Sequence, residues 1–211
     1  MPPLAVLQSH FSYPFDTILG SVGGVRVLRL LSQLDDPAAP SLLAHRTGLT
    51  RAAVGRVLKR LEAAGVVEPV GSSPRPYYRL VPKHPIGNAL RALFEAEAAR
   101  ADQFLESVRQ VAEQHKPAPV AVWLYGSAVR GKDLPKSDVD LMVVVQEHST
   151  ARKEDLTDAL NARAADTGVS LGIAYVSRSE LPQVAQARKK FWSGVLKEAV
   201  VLYGAGPSKL T

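Results

Sequence analysis

The chain of 211 residues contains no cysteine. That excludes disulfides, thiolate catalysis and cysteine-ligated zinc, and it agrees with a reducing compartment without proving one. No window approaches the ~18 apolar residues of a membrane span, so no membrane partner is expected. The opening stretch "MPPLAVLQSHFSYPFD" is apolar but has neither a basic start nor a clean hydrophobic segment. It does not read as a signal peptide, and the expected setting is the cytoplasm. His10, His45, His84, His115 and His148 are scattered without ligand spacing and read as structural or surface residues.

What is present is an ordinary folded composition, 46% hydrophobic and 22% charged, in a chain long enough for one large or two small domains. The net charge is +6, and its distribution says more than its size. Residues 41–83 hold eight lysines and arginines against only Glu62 and Glu68. That surplus equals the net charge of the whole chain. A local basic patch points either to a polyanion partner or to a solvated basic face.

Between residues 18 and 81 the pattern is helix, helix, helix, hairpin. Val25, Val27, Leu28, Leu30 and Leu31 recur at roughly helical spacing and stop at Asp35-Asp36-Pro37. "PSLLAHRTG" is a short helix. In "LTRAAVGRVLKRLEAAG", Thr50 is a natural N-cap. Val54, Val57, Leu58 and Leu61 make one buried face, and Gly65 suits a helix end that needs positive φ. "VVEPV" and "YYRLV" are two short strands around the polar turn "GSSPRP". This region resembles the winged helix-turn-helix of bacterial transcription regulators, most specifically in "LLAHRTGLTRAAVGRVLKRLEAAGVVE". The resemblance implies double-stranded DNA as partner, read by the third helix in the major groove. The residues expected there are Thr50, Arg51, Ala52, Gly55, Arg56, Lys59 and Arg60, with Arg75 reaching from the wing. A homodimer is usual for such readers of DNA.

Residues 84–116 predict a long helix after Pro85, ended by the prolines of "HKPAP". Phe94, Ala98, Ala101, Leu105, Val108 and Ala112 form a short heptad seam, which can pair with a second copy or cover the next domain.

From Pro119 the period becomes strand-like. "VAVWLYG" is a strand, "SAVRGKDLPK" a helical turn and loop, and "SDVDLMVVV" a second strand. "ARKEDLTDALNARAADTG" is a helix, "VSLGIAYVS" a third strand, and residues 178–204 are helical again. Side chains two apart on a strand share a face, so Asp138 and Asp140 project together and repel unless a cation joins them. Mg²⁺ or Mn²⁺ is the natural third party. Gly126-Ser127 ends the preceding strand in a turn that can hold a polyphosphate, with Arg130 and Lys132 adding charge. "RKK" at 188–190 is a solvated helix face or a phosphate-holding group, and Trp123, Phe191 and Trp192 read as core or interface.

Gly126-Ser127, ten intervening residues, then Asp138-Val139-Asp140 resembles the nucleotidyltransferases of the DNA polymerase β type, most closely the minimal bacterial members, over about residues 118–204. The resemblance implies transfer of a nucleotide monophosphate, usually AMP from ATP, with two metal ions at the reacting oxygens. It implies Asp138 and Asp140 as catalytic metal ligands, and Gly126, Ser127, Arg130 and Ser137 as nucleotide-binding. One departure matters. The family's third carboxylate falls at Gly172, and no Asp or Glu lies from Val169 to Ser179.

The expected fold class is α+β. A winged helix-turn-helix occupies 1–83, a connecting helix 84–117, and an α/β nucleotidyltransferase-like domain with a small mixed sheet 118–211. Two functions follow. One is a DNA-binding regulator whose second domain binds nucleotide and Mg²⁺ with impaired or lost catalysis. The other is an active enzyme moving AMP to a protein or small-molecule acceptor, antitoxin-like, with the winged helix for autoregulation.

Overall fold

The computed structural model describes residues 21–71, 74, 76–147 and 150–210. The N-terminal stretch, His10, Arg75 and His148 lie outside the described residues. The chain divides into two compact units, one ending at Ala99 and the other beginning at Arg100.

The first unit contains α1 (Val22–Ser32), α2 (Pro40–Thr47) and α3 (Arg51–Ala63), then a hairpin of β1 (Val67–Val70) and β2 (Tyr77–Leu80). Its core is the set of apolar residues that the helical period singles out. Val27, Leu31, Leu43, Val54, Leu58 and Leu80 are all buried. Thr50 caps α3 by accepting a hydrogen bond from the Ala53 amide at 3.2 Å, and Gly65 follows the helix with φ 72°. The strands pair antiparallel from Val67–Leu80 to Val70–Tyr77. Ala38 exchanges two backbone hydrogen bonds with Tyr78, at 2.8 and 2.9 Å, adding a third edge to the hairpin.

The predicted long helix is α4, Pro85–Gln114, 30 residues. Phe94, Ala101, Leu105, Val108 and Ala112 are buried as the seam requires. Ala98 is exposed, and its neighbour Glu97 is buried instead. Glu97 accepts hydrogen bonds from Arg29 Nε at 2.6 Å and Nη2 at 3.0 Å. The Arg29 guanidinium also stacks 5.3 Å from the Phe94 ring centroid. The seam thus contains an ion pair within the first unit that apolar periodicity cannot reveal. From Ala101 onward its residues pack inside the second unit, which favours the reading that they cover a domain.

The second unit is a four-stranded sheet in the order β5 (Leu171–Ser177), β4 (Val139–Val145), β3 (Ala121–Tyr125), β6 (Val200–Gly204). Only β4 and β5 run parallel. Phe104, Leu105 and Val108 of α4, with Leu156 and Leu160 of α6 (Thr150–Asp166), cover one face through Leu124, Leu141 and Val143. α7 (Leu181–Ala187) and α8 (Lys189–Glu198) cover the other through Trp123, Met142 and Val144. Burial on both faces explains why "VWL" and "LMVV" read as unbroken apolar runs. α5 (Ser127–Arg130) is a single turn between β3 and β4.

One expectation fails here. Residues 178–204 are not helical throughout. The helix breaks at Arg188, and 200–204 form β6, antiparallel to β3. The β-branched pair Val200-Val201 suits an extended strand, and Ala199 already has ψ 134°.

Glu97→Ala would strip the buried Arg29 of its carboxylate and is expected to cost roughly 3–5 kcal/mol in urea denaturation of the full chain. Arg29→Met with Glu97→Leu together should recover most of that loss.

Candidate functional site

The strand register gathers the site. β3 pairs antiparallel to β4 with Tyr125 opposite Asp140, and β4 pairs parallel to β5 with Asp140 opposite Gly172. Asp138 precedes β4 by one residue and shares Asp140's face. Ser170 donates its hydroxyl to Asp138 Oδ1 at 2.6 Å.

The two glycines beside Asp140 differ. Gly126 has φ 85° and ψ −152°, a region essentially confined to glycine. A Cβ there would collide with Asp140 Oδ2. The chain therefore turns directly over the carboxylate, and only glycine permits it. Gly172 carries no such restriction. A Cβ there would lie 3.1 Å from Asp140 Oδ1 and 3.6 Å from Asp138 Cβ. Position 172 thus points onto the carboxylate face, where the expected third carboxylate would stand, and it is bare.

Burial raises the Asp140 pKa above its ordinary value; the Asp138 charge adds to the rise and Arg130 opposes it. Tyr125 is pushed up as well, by burial first and then by Asp140. Arg130 sits at the edge of the cleft and pairs with Glu198 of α8 at 3.3 Å. The cleft, about 290 Å³, is lined by Gly126, Arg130, Asp140, Lys190, Phe191 and Glu198, among others.

Of the predicted nucleotide-binding residues, Gly126 and Arg130 meet the predicted metal ligand Asp140 in this cleft, with Ser127 following Gly126 at the first turn of α5. Ser137 does not line it. Its hydroxyl accepts the Leu134 amide at 2.9 Å and closes the loop before β4, and the residue faces a separate cavity with Asp133, Lys136 and Ser170. Sequence reasoning missed Ser170, Glu198 and the place of Phe191, which is exposed on the cleft rim rather than in the core. The basic run at 188–190 was the only signal for Lys190. Among the described residues no three His, Cys, Asp or Glu side chains gather as a metal cluster. Asp138 and Asp140 offer hard oxygen donors on one face, which suits a single Mg²⁺ or Mn²⁺ completed by phosphate oxygens.

In the first unit, α3 turns Arg51, Ala52, Arg56, Lys59 and Arg60 outward, with Gly55 half-exposed between them. Arg60 leans back along α1, where its Nη2 donates to Ser21 Oγ at 3.0 Å. Arg51 lines an open groove with Pro40, Ser41 and Tyr77. Arg79 is paired with Glu68 at 2.8 Å. No helix among the described residues is long and apolar enough to cross a membrane.

Both halves match known families. Residues 24–71 match the IclR helix-turn-helix domain, and residues 106–205 match the family described as Polymerase beta, Nucleotidyltransferase. The chain thus joins a helix-turn-helix domain to a nucleotidyltransferase-like domain. Among solved structures it is similar to a Mycobacterium tuberculosis MarR family protein, at 28% identity and a TM-score of 0.32, over 54% of this chain and 76% of that one. No curated protein matches it.

A carboxyl with a raised folded-state pKa binds its proton more tightly folded than unfolded, so its ionisation opposes folding. That penalty is absent below 3.8, grows as pH rises through the folded value, and is complete at neutral pH. Asp140→Asn is therefore expected to raise the thermal midpoint at neutral pH without divalent ions. The gain should vanish below pH 3.8 in melts run across a pH series.

Proposed function

We propose that the protein is a DNA-binding transcriptional regulator whose second unit binds a nucleoside triphosphate, ATP foremost, with Mg²⁺ or Mn²⁺, and in which nucleotidyl transfer is impaired or lost. The observation that carries the second half is the bare position 172, aimed at the carboxylate pair.

Asp138 and Asp140 would hold the ion, and Gly126 lets a phosphate approach the backbone closely. Arg130 and Lys190 bring positive charge to the same cleft. A divalent ion here neutralises phosphate oxygens and so supports both binding and the developing charge of transfer. Transfer also needs a group to take the acceptor's proton and to complete a second ion's ligands. Glycine does neither, whereas phosphate binding requires neither. A second reading, an active transferase moving AMP to a protein or small molecule, is favoured by the intact Asp138–Asp140 pair and the Gly126 turn.

For DNA, support comes from the outward charge on α3. Arg51 and Arg56 suit guanine edges or phosphates, while Ala52 and Gly55 allow close approach.

Calorimetry with ATP and Mg²⁺ should detect binding, and incubation with labelled ATP and cell extract should give no transfer. Gly172→Asp is expected to create or raise transfer. Wild-type transfer that disappears in Asp138→Ala would reject the loss of catalysis and favour the second reading.

Arg56→Ala is expected to weaken duplex binding and to flatten the plot of log affinity against log salt by about one unit. Unchanged affinity in a salt titration would overturn the assignment of α3 as the reading helix.

A further inference from the structure

A separate cavity of about 240 Å³ lies in the second unit, lined by Val145, the last residue of β4. Asp140 stands near the start of that strand, and the five residue steps between them span roughly 16 Å. The cavity shares no lining residue with the cleft beside Asp140. Pro119, Val145 and Leu156 give it apolar surface. Its ionisable side chains among the described residues are His115, just past the end of α4, Glu147, and Lys153 of α6. Lys153 and His115 are half-buried and Glu147 is exposed.

Lys153 and Glu147 have opposite charge and line one small space, yet they form no ion pair with each other or with any other described residue. Lys153 Nζ stands instead 5.6 Å from the Tyr175 ring centroid, a contact that uses none of its three N–H donors. A half-buried ammonium without a carboxylate loses hydration and gains little in exchange. Two opposite charges held apart beside apolar surface complement a ligand that has both charges and an apolar body.

We propose that this cavity binds a small apolar α-amino acid, with its carboxylate on Lys153 and His115, its ammonium on Glu147, and its side chain against Pro119, Val145 and Leu156. A plain carboxylic acid would leave Glu147 unmatched, and a plain amine would leave Lys153 unmatched. A neutral apolar molecule would cover both charges and engage neither. Size agrees. An apolar void of ~150 Å³ holds benzene, so a cavity of about 240 Å³ accommodates a leucine-sized side chain with its head group. The inference does not rest on the nucleotide-binding reading.

The test is calorimetry on the full chain without nucleotide. L-leucine, L-valine and L-phenylalanine probe the class, and 4-methylpentanoate and 3-methylbutylamine each keep the leucine body with one charge. At least one of the three amino acids is expected to bind. Leucine should bind about tenfold tighter than either single-charge probe. Lys153→Met should weaken leucine and 4-methylpentanoate and spare the amine. Glu147→Gln should weaken leucine and the amine and spare the acid. Where the single-charge probes bind too weakly to measure, about tenfold loss of leucine binding in both variants, with the thermal midpoint of the ligand-free chain unchanged, sustains the inference. No binding by any of the three amino acids at millimolar concentration would overturn it. So would 4-methylpentanoate binding as tightly as leucine, or leucine binding unaltered in the two variants. Each of these results leaves the nucleotide-binding reading untouched, because the cavity and the cleft have no residue in common.

Discussion

Asp140 is held between two glycines, and the chemistry open to the second unit follows from that placement. Antiparallel pairing with β3 sets Tyr125 opposite it and makes the chain turn at Gly126 directly over the carboxylate. Parallel pairing with β5 sets Gly172 on its other side. The first glycine is a steric requirement, because any side chain there would strike Asp140 and the backbone angles exclude other residues. The second is not. Its backbone accepts any residue, and a neighbour need give only a few tenths of an ångström. One glycine brings the backbone directly over Asp140, and the other leaves the carboxylate face bare at 172.

The features that could be read in advance are those set by local chemistry. Thr50, Val54, Leu58, Leu61 and Gly65 announce α3 by cap, period and stop, and each takes that role. The Gly-Ser and Asp-x-Asp spacing likewise predicted a strand, a turn and a strand that converge on one cleft. β6 was misread because nothing punctuates "VLKEAVVLYG". Helix passes into strand at Ala199 without a glycine or proline, and periodicity cannot separate a short apolar strand from a buried helix. The other misses come from long-range contact. Ser170 meets Asp138 from 32 positions away, and Glu198 meets Arg130 from 68. Ser137 shows a role that spacing does not reveal, because its hydroxyl accepts the Leu134 amide and closes its own loop.

The first unit shows how charge divides between structure and partner. Arg29 is the most deeply buried of its cations and works inside the fold, against Glu97 and Phe94. Arg79 is partnered on the surface and Arg60 leans on Ser21. Arg51, Arg56 and Lys59 point outward from one helix, beside residues too small to block approach. Net charge alone left a polyanion partner and a solvated face equally open. Three of the outward cations, Arg51, Arg56 and Lys59, share α3, and positive charge gathered on one exposed helix suits a phosphate backbone.

On the proposed reading, binding and transfer draw on different parts of the second unit, so one can persist without the other. Contacts to phosphate oxygens already exist in the ground state and so confer affinity, even where they also stabilise charge that develops in transfer. A group that takes the acceptor's proton matters only as the transition state forms. Deleting it therefore lowers turnover and leaves occupancy nearly unchanged. The pattern here has that form. The turn at Gly126, the carboxylate pair and the cations of the cleft remain, and the position that would act only during transfer is empty. Selection for a nucleotide-responsive DNA binder would preserve the first set and place no demand on the second, whereas selection for turnover would restore a carboxylate at 172.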